Sequence, residues 1–465
     1  MNLLQLVLKQ MRQRALSTWL TMLSIVLGVA LAVAILIIYR EGAELFVQKN
    51  YGYEIIVGPP KGSPLQLVLN TVYQIDQSPG NIPYSVYEDL LKNRFNVRIA
   101  VPYAVGDSYK GHRIIGTATK LFGFDDAGQP LPPERVLEYQ IGKRYELAEG
   151  RVFHPQKFEA IIGSDVARQT GLKVGSKFKA THGLPQPGQE EDEHDQEWEV
   201  VGVLKPTPTA ADRVISIPLV SFYAISEHEE ALEQQARLKA GLPPLPPKSA
   251  KPQTATQDAH DEHDHQFHLN PDGTINLELP KEDWVLSAVL VKARGAFQAS
   301  SLMYHYKLID PNALAVSPAE VMRQFFDTFL RGSTLVLLCV SVLVIIVAAV
   351  GILVAIYNSV SARMREIAIL RALGATRRRI LAIICLEAGL VGSIGAAIGL
   401  ILGHAIAAGG SVYLNRILGQ GIHWHRIDQL ELYGLLGVVA LAVLAGLVPA
   451  LKAYRTPVAT NLVAG

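Results

Sequence analysis

The sequence predicts an integral membrane α-helical protein with four transmembrane helices in a 1+3 layout. A large α+β extracytoplasmic domain is inserted between helices 1 and 2. Three observations predict this class. Four apolar stretches, 16–39, 333–357, 380–408 and 432–451, are each long enough for a helix across ~30 Å of hydrocarbon. The segment 40–332 is polar and broken into short β-patterned runs. A short, strongly basic turn separates the second and third apolar stretches, which belongs on the cytoplasmic side of a membrane. Composition agrees: the 465 residues are 49% hydrophobic and only 18% charged. A formal net charge of +1, without a basic-aromatic module, argues for no nucleic-acid partner.

Taken in order, residues 1–15 carry leucines at helical spacing with Lys9, Arg12 and Arg14, the pattern of a cytoplasmic interfacial helix. The apolar core of 16–39 outruns the roughly 7–15 residues of a signal peptide. Tyr39-Arg40-Glu41 is no small-residue cleavage site, so this stretch reads as a retained anchor and first span. Within 40–332, residues 51–96 mix a strand-like E-I-I-V with turn signals at Gly58-Pro59-Pro60 and Ser78-Pro79-Gly80. Residues 97–221 hold I-I-G-T-A, A-I-I-G, W-E-V-V-G-V-L and V-I-S-I-P-L between glycines, a β-rich pattern. Residues 227–276 are rich in Ala, Gln, Pro, Lys and His and read as a flexible insertion. A strand pattern returns at Trp284–Lys292, so the domain is expected to be discontinuous and closed by both ends of the segment. The only cysteines, Cys339 and Cys385, fall in spans. The domain therefore needs a core large enough to stand without disulfides, and its length supplies one.

The connection 358–379 contains S-A-R-M-R-E-I-A-I-L-R-A-L-G-A-T-R-R-R. Six arginines there oppose one acid, Glu366. Ile367, Ile369, Leu370 and Leu373 predict a short amphipathic helix ended by Gly374. A mere connection needs no apolar face in water, so this helix is expected to dock on something. Lys and Arg placement puts the N-terminus, this loop and the tail 452–465 (with Lys452 and Arg455) inside, and 40–332 and the loop 409–431 outside.

Further candidates lie in the spans and the outer segment. Glu387 sits about two turns inside the third span, where a carboxylate is costly and faces protein or water. Two readings stand: it couples helix movement to a partner, or it is a static mate for an arginine near the membrane surface. Gly395, Gly399 and Gly403 recur every fourth residue, a small face for close packing within the chain or against a second subunit. His260, His263, His265 and His268 lie among acids, and His194 lies in a second acidic run. Imidazole and carboxylate suit zinc or copper, while a solvated polar tract accounts for the same residues.

The one-plus-three layout resembles the MacB/FtsX-type permeases of ABC transporters, which include the lipoprotein-release permeases LolC and LolE. The resemblance rests on R-E-I-A-I-L-R-A-L-G-A from Arg365, L-E-A-G-L-V-G-S-I-G-A-A-I-G from Leu386 and G-L-V-P-A-L-K-A-Y-R-T-P-V from Gly446. L-A-E-G-R-V-F from Leu147 and G-L-K-V-G-S-K-F from Gly171 resemble family patterns more loosely. The resemblance implies that Arg365, Glu366, Ile367, Leu370, Arg371, Leu373, Gly374 and Ala375 form the segment coupling to an ATPase. It also implies a non-enzymatic permease subunit in a bacterial inner membrane, paired with a second copy or homologue, with a periplasmic adaptor as a further partner. Its action would be mechanotransmission on a lipoprotein, peptide or hydrophobic substrate. No G-x-x-x-x-G-K-[ST] run occurs, so ATP and magnesium are expected on a separate ATPase subunit. The alternatives are a non-transporting receptor and a metal-linked carrier using the histidine-rich insertion.

Overall fold

A computed structural model describes residues 11–12, 15–46, 51–75, 77–183, 193–207, 209–224, 267–362, 364–372, 374–418 and 422–455. The chain divides into a helical unit (Met1–Val47, Phe326–Arg416 and Gly421–Gly465) and a sheet unit (Gln48–Phe325 with Ile417–Gln420).

The helical unit contains α1 (Ala15–Phe46), α2 (Arg331–Ala362), α3 (Met364–Ala372), α4 (Arg377–Leu418) and α5 (Gln429–Arg455). Among the described residues, α1, α2, α4 and α5 are long and apolar enough to cross a bilayer. Each outruns its apolar stretch at both ends. An apolar pattern marks the hydrocarbon, whereas the helical hydrogen-bond ladder continues until a cap stops it. The 42 residues of α4 rise about 63 Å, twice the ~30 Å hydrocarbon core.

One face of α1 organises this unit. Met22, Ile25, Val26, Val29, Val33 and Ile37 recur at three- and four-residue steps and are buried against α2 (Ile352, Ile356) and α4 (Ile384, Ala388). Leu20, Leu23, Leu27 and Leu31 point the other way and are exposed, as lipid-facing residues would be.

The sheet unit is built on ten strands. They are β1 (Ile55–Gly58), β2 (Val97–Tyr109), β3 (His112–Thr117), β4 (Leu147–Gly150), β5 (Glu159–Ile162), β6 (Lys177–His182), β7 (Glu193–Leu204), β8 (Ile215–Pro218), β9 (Ala288–Ala293) and β10 (Leu314–Val316). The order is β10-β1-β9-β2-β3-β8-β5-β7-β4, with β6 pairing β7 and β2. The β3–β8 and β5–β7 pairs are parallel and the others antiparallel. Early β1 pairs late β9 (Ile55 opposite Val291) and β10, so both ends of the segment close one sheet. Trp198 anchors the core: fully buried, it stacks on Phe178 at 6.0 Å and donates its Nε1–H to Ser221 Oγ at 3.2 Å.

One sequence reading changes here. The insertion 227–276 is not flexible throughout, because Phe267–Leu269 and Ile275–Leu277 form a hairpin. Its N-P-D-G turn has Gly273 at φ 78°, and Phe267 and Ile275 are buried, Phe267 edge-on to Phe158. His194, in the second acidic run, lies in β7, buried, because strand alternation turns it inward with Trp198 and Val200.

Candidate functional site: the basic turn between α2 and α4

The turn is punctuated by two residues. Gly374 has φ +98°, a left-handed backbone that L side chains rarely adopt, and its N–H donates to the Arg371 carbonyl at 3.1 Å, closing α3. Two residues later Thr376 caps α4: its Oγ1 accepts from the Arg379 N–H at 3.3 Å. The L-G-A-T run therefore stops one helix and starts the next within a few residues.

The faces of α3 differ from the sequence expectation. Met364 and Ile367 are half-buried in the same apolar cluster that holds α1, α2 and α4, and Ala368 is buried. Ile367 thus packs onto its own bundle. The reason is periodicity: 364, 367, 368 and 371 share one stripe, and in the fold that stripe meets the bundle. Ile369 is the outward apolar residue, 45% exposed. Arg371 and Ala375 are half-buried. Arg365, Glu366 and Leu370 lie on the α3 backbone, their side chains outside the described residues, as is all of Leu373. Nearby, the Arg377 guanidinium lies 5.6 Å from the Tyr454 ring centre, and the Lys452 ammonium 4.1 Å from that of Tyr357. These contacts tie the end of α5 to α2 and α4 beside the turn.

Glu387 is half-buried and lines a cavity of about 30 Å³ with Thr18, Thr21, Ser359, Ile352, Ala355, Ile356 and Val391. Hydroxyl-bearing Thr18 and Thr21 of α1 and Ser359 of α2 share this lining with Glu387.

The glycine face of α4 packs on α1. A Cβ at Gly395 would stand 3.0 Å from Ile25 Cγ2, at Gly399 2.7 Å from Val29 Cβ, and at Gly403 2.7 Å from Val33 Cβ. A second small face, Gly392 and Ala388 of α4 against Ala442 and Gly446 of α5, went unnoticed in the sequence; a Cβ at Gly446 would meet that of Ala388 at 2.5 Å. The four-residue step from Ala442 to Gly446 was its available signal.

The histidines do not assemble among the described residues. His194 Nε2 lies 3.5 Å from Asp107 Oδ1, while His268, in the hairpin, lies 2.8 Å from Glu278. His260, His263 and His265 fall outside the described residues. Among those described, no group of three His, Cys, Asp or Glu stands ready for a metal.

In the sheet unit, L-A-E-G-R-V-F ends on a polar clamp. Arg151 donates from both terminal nitrogens to Glu159 at 2.7 Å, and the His154 N–H adds a third bond at 2.7 Å. Burial raises the Glu159 carboxyl, but these donors outweigh it and hold it below its ordinary range.

Long apolar helices and an inserted mixed sheet mark a membrane protein with a large extramembrane domain. Residues 338–458 match the family model described as FtsX-like permease C-terminal, and residues 18–242 the MacB-like periplasmic core domain. The chain belongs to the MacB/FtsX-type family of ABC transporter permeases. Among curated relatives, the uncharacterized ABC transporter permease MJ1507 of Methanocaldococcus jannaschii is 36% identical over 93 residues, 20% of this chain and 23% of that protein. The macrolide export ATP-binding/permease protein MacB of Nitrobacter winogradskyi is 30% identical over 125 residues, 27% of this chain and 18% of that protein. The chain thus aligns with about a fifth of the length of these relatives.

Proposed function

We propose that the chain is the permease subunit of an ABC transporter and works by mechanotransmission. A partner ATPase pushes α3 from the cytoplasm, and the helical bundle passes that movement to the sheet domain on the other side of an inner membrane. A second copy or homologue completes the permease, and a hydrophobic, peptide or lipoprotein cargo is handled outside. The macrolide export named for the Nitrobacter relative supports a hydrophobic cargo. One observation carries this reading: α3 is capped at Gly374, wedged by Met364 and Ile367 into the bundle, and shows Ile369 outward. A short helix keyed to its own bundle and apolar on its free side is a lever with a docking surface.

The test is co-purification of the ATPase with Ile369→Asp and Gly374→Val permeases. A charge buried without a mate costs roughly 2 kcal/mol or more, so Ile369→Asp should weaken capture more than about tenfold. Gly374→Val, strained at a left-handed φ, should act likewise by fraying α3. Normal insertion with unchanged capture and transport in both variants would remove the coupling role.

A further inference from the structure

At the far end of the same helices, the connection 422–428 is held to the bundle by polar groups that sequence reasoning passed over. Ser411 Oγ donates to the Ile422 carbonyl at 3.1 Å and accepts from the Ile422 N–H at 2.9 Å. Glu41, 2% exposed, accepts from the His423 N–H at 3.0 Å and from Arg40 at 2.9 Å. Arg40 also donates to Asp428 at 2.8 Å. His404 of α4 completes the set: Nε2 lies 3.0 Å from Glu431 Oε2 on α5, and Nδ1 lies 2.5 Å from the Trp424 carbonyl oxygen.

A neutral imidazole has one donor nitrogen and one acceptor nitrogen. Both nitrogens of His404 face oxygens, and a carbonyl oxygen can only accept. The Nδ1 contact therefore needs a ring N–H, and the Nε2 contact needs a second proton, on the ring or on Glu431. The pair is complete only when it holds two protons. Glu431 is 3% exposed and the His404 side chain 12%, so little water can substitute for a missing bond. The charged and titratable neighbours are Glu431 on α5, Arg40 and Glu41 on α1, and His423, His425, Arg426 and Asp428 in the connection. Arg40 is shared between Glu41 and Asp428, which leaves the His404 proton to balance Glu431.

We propose that His404 and Glu431 form a proton-binding site that latches the connection 422–428 onto α4 and α5. Proton uptake closes the latch. Proton release to solvent as pH rises leaves one ring proton, which the Glu431 carboxylate draws to Nε2, so the Nδ1 lone pair faces the Trp424 carbonyl oxygen and that contact is lost. The site is independent of the coupling role of α3.

The experiment uses the full chain in lipid nanodiscs, with Cys339 and Cys385 replaced by alanine and a nitroxide on His425→Cys, an exposed position. Spin-label mobility is read at about pH 6 and about pH 9. The mobile component should be minor at the lower pH and grow several-fold at the higher. His404→Gln, which can donate to only one of the two oxygens, should be mobile at both. Glu431→Gln should stay immobile at both, because its amide can donate to Nε2 of a neutral ring. His423→Asn should keep the parent response. Equal mobility of the parent at the two pH values overturns the proposal, as does a parent-like response in His404→Gln or its loss in His423→Asn.

Discussion

Adding one methyl group at Gly399 tests whether the glycine face of α4 is a packing seam. An alanine Cβ there would stand 2.7 Å from Val29 Cβ, 2.9 Å from the Val26 carbonyl oxygen and 3.0 Å from Val29 Cγ1. Carbon atoms pack best at about 3.5–4.0 Å, so α1 and α4 must part by roughly 1 Å. Gly395 against Ile25 and Gly403 against Val33 lie along the same seam. Parting at the centre therefore loosens both flanks, and a gap of about 0.5–1 Å forfeits a quarter to a half of each contact. Overpacking of this kind costs about 1–3 kcal/mol. Alanine regains up to ~1 kcal/mol of helix propensity, leaving Gly399→Ala destabilising by about 1–2 kcal/mol and Gly399→Val by more. Gly437 on α5 is the control, since a Cβ there meets nothing within 4 Å. Its alanine variant should be neutral or stabilising by up to ~1 kcal/mol. Reversible unfolding in mixed micelles with increasing SDS reads both. Equal effects at the two positions, or a harmless Gly399→Val, would refute the seam.

Three further outcomes are expected. The Glu159 carboxyl is lowered in the folded state, so its contribution is present above its unfolded value and is lost as pH falls through the folded one. Arg151→Ala should therefore flatten the acid side of the stability curve between about pH 5 and 3, and a parallel curve would show that the clamp is idle. For orientation, a cysteine at Ser249 should react with an impermeant thiol reagent in spheroplasts while one at Thr376 stays protected; the reverse labelling inverts the topology. For the histidine tract, the metal reading requires that calorimetry detect zinc or copper uptake by the whole chain and that it disappear when His260, His263 and His265 become alanine, whereas the solvated-tract reading requires none. An intact chain that takes up neither metal ends that idea.

Some of this molecule was legible in its residues alone. Apolar runs of span length, the glycine repeat 395–399–403 and the helix end at Gly374 are local patterns, each set by the period of a helix or the geometry of a cap. The resemblance carried by R-E-I-A-I-L-R-A-L-G-A belongs to the same local level. Which way a face turns is decided by what packs on it. Ile367 and Ile369 are the same amino acid two positions apart, and only the bundle makes one inward and the other outward. The hairpin at 267–277 was hidden because its three-residue strands gain stability from Phe158 and not from their own length. Glu41, His404 and Glu431 are up to 390 residues apart in sequence, so no motif joins them. The helix ends carry them to one place, and burial there makes each remaining proton and hydrogen bond count.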